Sequence, residues 1–248
     1  MPVDELIQLF QKIYASAIPS QLQSAGLTAG LEPMTALTDA ILAAWTAFWC
    51  AFLFARANGR RPVLLWAWAF AATAVSALAG VAYHGCRLFF EPVTLGAIVA
   101  WKIVPVASGV AALCLGSAAA LVWLRGTARR AAIAVLIAEF VACLVAAAMS
   151  NDFLVVAIDS APVLVVILIG CAVHWQSRAS RLVAAGIAVA FIASAIQMSS
   201  LRLGGFDHND IYHVVQMAAM YLLYRGGILL EPVASEAPER LSPAVVAA

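Results

Sequence analysis

The stretch PVLLWAWAFAATAVSALAGVAY, residues 62–83, decides the fold class because it holds 22 consecutive residues without a charged side chain. A helix needs about 20 apolar residues to cross roughly 30 Å of hydrocarbon. A segment inside a bilayer must also satisfy its own backbone hydrogen bonds, which a helix does. The whole chain is 65% hydrophobic and 11% charged, whereas soluble domains carry about 25% charged residues. The sequence therefore predicts an all-α polytopic membrane protein.

Runs of this kind recur along the chain and predict seven transmembrane helices packed in one bundle. The predicted spans are residues 36–56, 62–83, 93–123, 131–150, 153–173, 182–201 and 210–229. The third span is longer than a straight crossing needs, which predicts either a tilt or an interfacial turn near Pro105.

Two flanking segments complete the predicted domain organisation around the transmembrane domain of residues 36–230. Residues 1–35 include a helical stripe of apolar side chains, which predicts an amphipathic segment lying along the membrane interface. Residues 231–248 are rich in Pro, Ala, Ser and Glu, which predicts a disordered cytoplasmic tail.

The distribution of positive charge predicts how the helices are oriented. The loops after spans one, three and five and the C-terminal flank contain ten arginines, whereas the opposite face contains three cations. The ten are Arg56, Arg60, Arg61, Arg125, Arg129, Arg130, Arg178, Arg181, Arg225 and Arg240, and the three are Lys12, Arg87 and Arg202. Because Lys and Arg favour the cytoplasmic side, we expect an outside N-terminus and a cytoplasmic C-terminus in the plasma (inner) membrane.

Three of the four histidines fall at the predicted outer face. His84 closes span two, and His208 and His213 flank the start of span seven. Asp39 opens span one and Asp210 opens span seven, so both acids lie at the same depth as the histidines. Ionisable residues at a hydrocarbon boundary are candidates for function. Three imidazoles, or two with a carboxylate, and one open position describe catalytic zinc.

Helix geometry limits which of these histidines can share a metal ion. His208 and His213 are about 140° apart on an ideal helix. Both can bind one ion only if His208 lies in the loop before the helix and folds back. Asp207 and Asn209 are both suitable N-caps that would start the helix there.

Two short motifs carry a resemblance to a known family. His84 follows Gly80-Val81-Ala82-Tyr83 in span two, and His213 lies one turn into span seven. This arrangement resembles the superfamily of alkaline ceramidases and adiponectin/progestin receptors, which are seven-helix membrane hydrolases, and the chain looks like a divergent member. In that family a Ser-x-x-x-His in helix two and a His-x-x-x-His in helix seven bind zinc with the help of an aspartate. Gly80 stands at the serine position, Asn209 stands at the first histidine of the pair, and the helix-three aspartate has no clear counterpart.

The resemblance and the cluster together predict a zinc-dependent hydrolase. His84, His208 and His213 would bind Zn²⁺, and Asp39 or Asp210 would orient a ligand or move protons. The expected substrate is a lipid-like amide or ester that enters from the outer leaflet of the bilayer.

Two other functions remain open from the sequence. A transporter or proton-linked sensor could use the same acids and histidines as a relay, and a structural subunit could use the many small residues for helix contacts. The chain has no basic domain that would hold nucleic acid. Its oligomeric state is not predicted.

The remaining ionisable residues inside the spans also give expectations. Glu139 lies in the middle of span four and needs a partner, and Asp159 lies about two turns into the membrane from Asp152. Lys102 should pair or extend to the interface, and His174 should be interfacial on the cytoplasmic side.

Overall fold

The computed structural model describes residues 2, 5 and 8 and the ranges 32–85, 95–150 and 154–231. Within these three ranges the chain forms seven α-helices and no strand longer than the isolated bridge between Leu203 and Phe206. The helices are α1 (Pro33–Arg56), α2 (Arg61–Gly85), α3 (Leu95–Trp123), α4 (Gly126–Met149), α5 (Leu154–Val173), α6 (Arg178–Gln197) and α7 (His208–Gly227). The all-α prediction is confirmed.

Six of these helices, α1 to α6, are long and apolar enough to cross a membrane. Their most apolar segments have mean hydropathies between 1.6 and 2.5, and many of their large side chains face outward, as Val135 does at 67% exposure. These features fit an integral membrane protein. The seventh predicted span corresponds to α7, which is 20 residues long but carries more polar side chains than the other six.

The helix boundaries differ from the predicted spans by a few residues. Helix α1 begins at Pro33, because proline suits the first helical position, where its missing N–H is not needed. Helix α3 continues through Pro105 without a turn, so the interfacial turn near this residue does not form. Most of the predicted segments 1–35 and 231–248 lie outside the described residues.

The helices pack in a ring. Each packs against its neighbours in sequence, α3 also packs against α5, and α1 packs against α7. The centre contains Leu53, Trp66, Phe70, Ile167 and Ile187, which are at most 1% exposed.

Close contacts attach the end of α7 to the first two helices. A Cβ on Gly227 would lie 2.2 Å from the Trp66 ring, so only glycine allows this approach. The Trp66 indole N–H donates to the Leu223 carbonyl at 3.0 Å. The Arg56 guanidinium donates to the Tyr224 hydroxyl at 3.0 Å, and the Arg60 guanidinium donates to the Ile228 carbonyl, just after α7, at 3.1 Å. The arginine-rich end of α1 and α2 therefore holds the C-terminal end of α7.

The contacts of two further ionisable side chains, Lys102 and His174, are also defined. The Lys102 ammonium donates to the Ser150 carbonyl at 2.7 Å and to that of Ala147, so it binds the C-terminal carbonyls of α4. Cations at this end of a helix interact favourably with its dipole. His174 stacks on Trp123 with the ring planes 7° apart, just after α5 ends.

Candidate functional site

The N-terminal ends of α1 and α7 meet the C-terminal end of α2 at one end of the ring, opposite the arginine-rich end. Asp39 on α1 and His213 and Asp210 on α7 are 4%, 7% and 2% exposed. Buried ionisable groups need partners, since an isolated charge is costly to take out of water. The contacts of these three side chains therefore define the candidate site.

His213 is held through both of its ring nitrogens. Its Nε2 lies 3.1 Å from Asp39 Oδ1, and its Nδ1 lies 2.9 Å from the Thr38 hydroxyl. The same hydroxyl is 3.0 Å from the Thr35 carbonyl, to which it can donate its proton. Two adjacent residues of α1 thus fix the plane and the direction of the imidazole.

The Thr38 hydroxyl has one proton, which leaves two arrangements of hydrogen atoms. If Thr38 donates to His213, then Nε2 carries the other proton and donates to Asp39. If Thr38 donates to the Thr35 carbonyl, it accepts from Nδ1–H, and the Nε2 lone pair faces the Asp39 carboxylate. Two acceptors at 3.1 Å are stable only with a proton or a metal cation between them.

Asp210 fixes the start of α7. Its Oδ1 accepts from the Thr35 hydroxyl at 3.0 Å, and its Oδ2 accepts from the Asp207 N–H at 3.0 Å. Asp207 is the N-cap and accepts in return from the Asp210 N–H, which completes a capping box. Of the two N-caps that the sequence allowed, Asp207 and Asn209, the helix uses Asp207. With both oxygens occupied, Asp210 orients the turn of helix that precedes His213.

Gly80 provides the space for the Asp39 carboxylate. A Cβ built on Gly80 would lie 2.5 Å from Asp39 Oδ2 and 2.8 Å from Oδ1. The serine that the resemblance expects at this position would therefore occupy the volume that Asp39 fills. Asp39 Oδ2 is buried and has no hydrogen-bond partner within the described residues.

His84 lies one turn beyond Gly80 on α2. Its Nδ1 is 2.5 Å from Glu32 Oε2, and its side chain is 17% exposed. It is close enough to interact electrostatically with both Asp39 and His213. His84 therefore belongs to the same cluster, nearer to its open end.

His208 is not brought to this cluster. It is the first residue of α7, so it lies inside the helix and cannot fold back from the preceding loop as joint metal binding with His213 requires. Its side chain has no hydrogen bond or ion pair within the part of the chain that the structure describes. Asn209 beside it accepts from Gln197 at 2.6 Å and serves the contact between α6 and α7.

Three members of the cluster were not predicted from the sequence. Glu32 precedes the predicted first span, and Thr35 and Thr38 were not singled out. The spacing of Thr35, Thr38 and Asp39 by three and four residues places them on one face of a helix, so this signal was present in the sequence.

The donor set that remains consists of two imidazoles and a carboxylate, a combination used by catalytic zinc. The unpartnered Oδ2 of Asp39 supplies a further free lone pair. Among the residues that the structure describes, no three His, Cys, Asp or Glu side chains are arranged as a formed metal site. The chemistry of these donors suits a cation.

Comparison with known proteins gives one match. A family described as a family of unknown function (DUF6962) matches residues 34–232, which cover all seven helices. No curated protein matches the chain, and no solved structure does.

Proposed function

Because this chain belongs to a family of unknown function, we propose its activity from its own side chains. We propose a membrane hydrolase that cleaves a lipid-like amide or ester, with Asp39, His84 and His213 holding a zinc ion. One observation carries the proposal. The His213 Nε2 and the Asp39 Oδ1 face each other at 3.1 Å in a buried site, which places an imidazole nitrogen and a carboxylate oxygen, both zinc-ligand types, side by side.

The surroundings of His213 support metal binding. A histidine that binds a metal usually donates its other ring N–H to a fixed acceptor, which sets the tautomer. The Thr38 hydroxyl can be that acceptor, because its own proton can go to the Thr35 carbonyl. The resulting lone pair on Nε2 points at Asp39 and is available to a metal ion.

The acids of the cluster have separate roles in this proposal. Asp39 Oδ2 has no hydrogen-bond partner among the described residues and can accept a proton from a water molecule in the cluster, as a general base does. Both carboxylate oxygens of Asp210 accept hydrogen bonds, so Asp210 positions α7. Asp39 is then the acid that transfers protons. Zinc in such a site supplies hydroxide at neutral pH by lowering the pKa of bound water to about 7.

We also propose that α7 crosses the membrane as the seventh span. Its 20 residues extend about 30 Å, and it packs between α1 and α6. The charge distribution then favours an outside N-terminus and a cytoplasmic C-terminus in the plasma (inner) membrane. A lipid-like substrate would reach the cluster from the outer leaflet.

Metal analysis of the purified full chain tests the proposal. We expect about one zinc per chain in the wild type and in His208→Ala, and loss of zinc in His84→Ala and His213→Ala. His208→Ala is the matched control, because it removes an imidazole from the same end of α7. Absence of zinc from the wild type, or equal zinc in all four proteins, would refute the metal site.

The second candidate is a proton-linked transporter or sensor. The observation that favours it is the first arrangement of hydrogen atoms, in which Thr38, His213 and Asp39 satisfy each other without a metal. Proton-coupled uptake into reconstituted vesicles by metal-free protein, lost in Asp39→Asn, would support this function against the hydrolase.

A further inference from the structure

Two further buried acids, Glu139 and Asp159, lie apart from the Asp39–His213 cluster. Glu139 is in the middle of α4, ten residues before the end of the helix at Met149, which corresponds to about 15 Å. Asp159 is in the second turn of α5 and is 5% exposed. The two carboxyls are close enough to interact electrostatically.

These carboxyls lack the partners that buried acids need. All four oxygens of Glu139 and Asp159 are buried, and none has a hydrogen-bond partner within the described residues. The Cys143 thiol interacts with Asp159 and lies 3.9 Å from the Pro105 carbonyl, but a thiol is only a weak hydrogen-bond donor and does not compensate a buried carboxylate. An uncompensated carboxylate in this position would be strongly unfavourable.

The charged groups of the surrounding helices do not compensate the pair. Lys102 on α3 directs its ammonium to the C-terminal carbonyls of α4. Helix α6 carries charges only at Arg178 and Arg181, at its first turn. That turn follows the C-terminal end of α5, whereas Asp159 lies near the N-terminal end of that helix. No cation in the described helices therefore neutralises the two acids.

We propose that Glu139 and Asp159 form a proton-binding site inside the membrane, in which the two carboxyls share at least one proton. A protonated carboxyl can donate to its neighbour, which satisfies both groups without a counter-ion. Ionisable residues that face the interior of a membrane bundle commonly mark proton relays. This site is separate from the Asp39–His213 cluster and does not depend on the function proposed for it.

Infrared difference spectroscopy on the full-length protein in nanodiscs tests the inference. At neutral pH we expect the wild type to show the carbonyl band of a protonated carboxylic acid. The band should be lost or reduced in Asp159→Asn and in Glu139→Gln, because the amides replace the protonated acids with side chains of the same shape. Glu231→Gln is the matched control, since this acid is exposed, and its removal should leave the band unchanged.

Two results would overturn the proposal. One is a wild-type spectrum that does not change in the Asp159→Asn, Glu139→Gln double variant. The other is a wild-type spectrum without this band at neutral pH, because neither carboxyl would then carry a proton. If one single variant does not fold, the other decides, since either substitution removes the shared proton.

Discussion

Replacing Gly80 by alanine should separate Asp39 from His213. The new Cβ would lie 2.5 Å from Asp39 Oδ2, whereas ordinary contacts begin at 3.4 Å. The carboxylate must therefore move by about 1 Å, and the 3.1 Å contact with His213 would lengthen beyond hydrogen-bonding distance. Overpacking of this kind costs about 1–3 kcal/mol, against which alanine regains up to about 1 kcal/mol of helix propensity. Gly80→Ser should behave in the same way, although it restores the serine of the resembling family.

Thermal unfolding of purified protein in detergent measures this effect, followed by a dye that reacts with buried cysteines as they become exposed. We expect Gly80→Ala to lower the Tm by roughly 2–10 °C. The control is the same substitution in an Asp39→Ala background, where the Cβ meets no carboxylate and the change should be neutral or stabilising. Equal losses in both backgrounds, within about 0.5 kcal/mol, would show that the two residues are not coupled and would refute the packing argument.

Three further predictions concern single contacts. Thr38→Val should leave His213 Nδ1 without a partner and weaken zinc binding about 10–100-fold in a chelator competition assay; unchanged affinity would contradict the role given to the hydroxyl. Asp207→Ala should destabilise the protein by about 1 kcal/mol through loss of the N-cap, measured as a lower Tm, with a smaller loss for Asp207→Asn. Trp66→Phe should cost about 1 kcal/mol or more, because the Leu223 carbonyl loses its buried donor; an unchanged Tm would argue against this contact.

The all-α fold class and the approximate position of each helix in the sequence could be predicted from hydrophobicity alone. The bilayer constraint leaves few choices for a run such as residues 62–83, so seven helices were predictable to within a few residues. Helix ends were harder, because they depend on local contacts such as those of Lys102 at the end of α4. The continuous course of α3 through Pro105 also depends on its neighbours, which the sequence does not reveal.

The end of the bundle at which the candidate site lies could be predicted from the sequence, but only some of the residues that form the site could. Charge and span counting placed His84, Asp39, Asp210 and His213 at one end of the bundle, and the structure places them there. The sequence did not show whether His208 lies in the loop or in the helix. Because the capping box starts α7 after Asp207, His208 is inside the helix, and its direction around the helix axis is fixed there. The fit of Asp39 against Gly80 could not be foreseen either, because it depends on how closely α1 and α2 approach.

The packing of α7 against α1 and α2 has a consequence for the synthesis of the protein. Thr38 and His213 are 175 residues apart in sequence, and ribosomes add about 5–20 residues per second. Asp39 is therefore synthesised roughly 9–35 s before His213, whose imidazole it contacts. A nascent chain that stops before α7 contains the acid without its partner, which gives cellular quality control a feature by which to recognise unfinished copies.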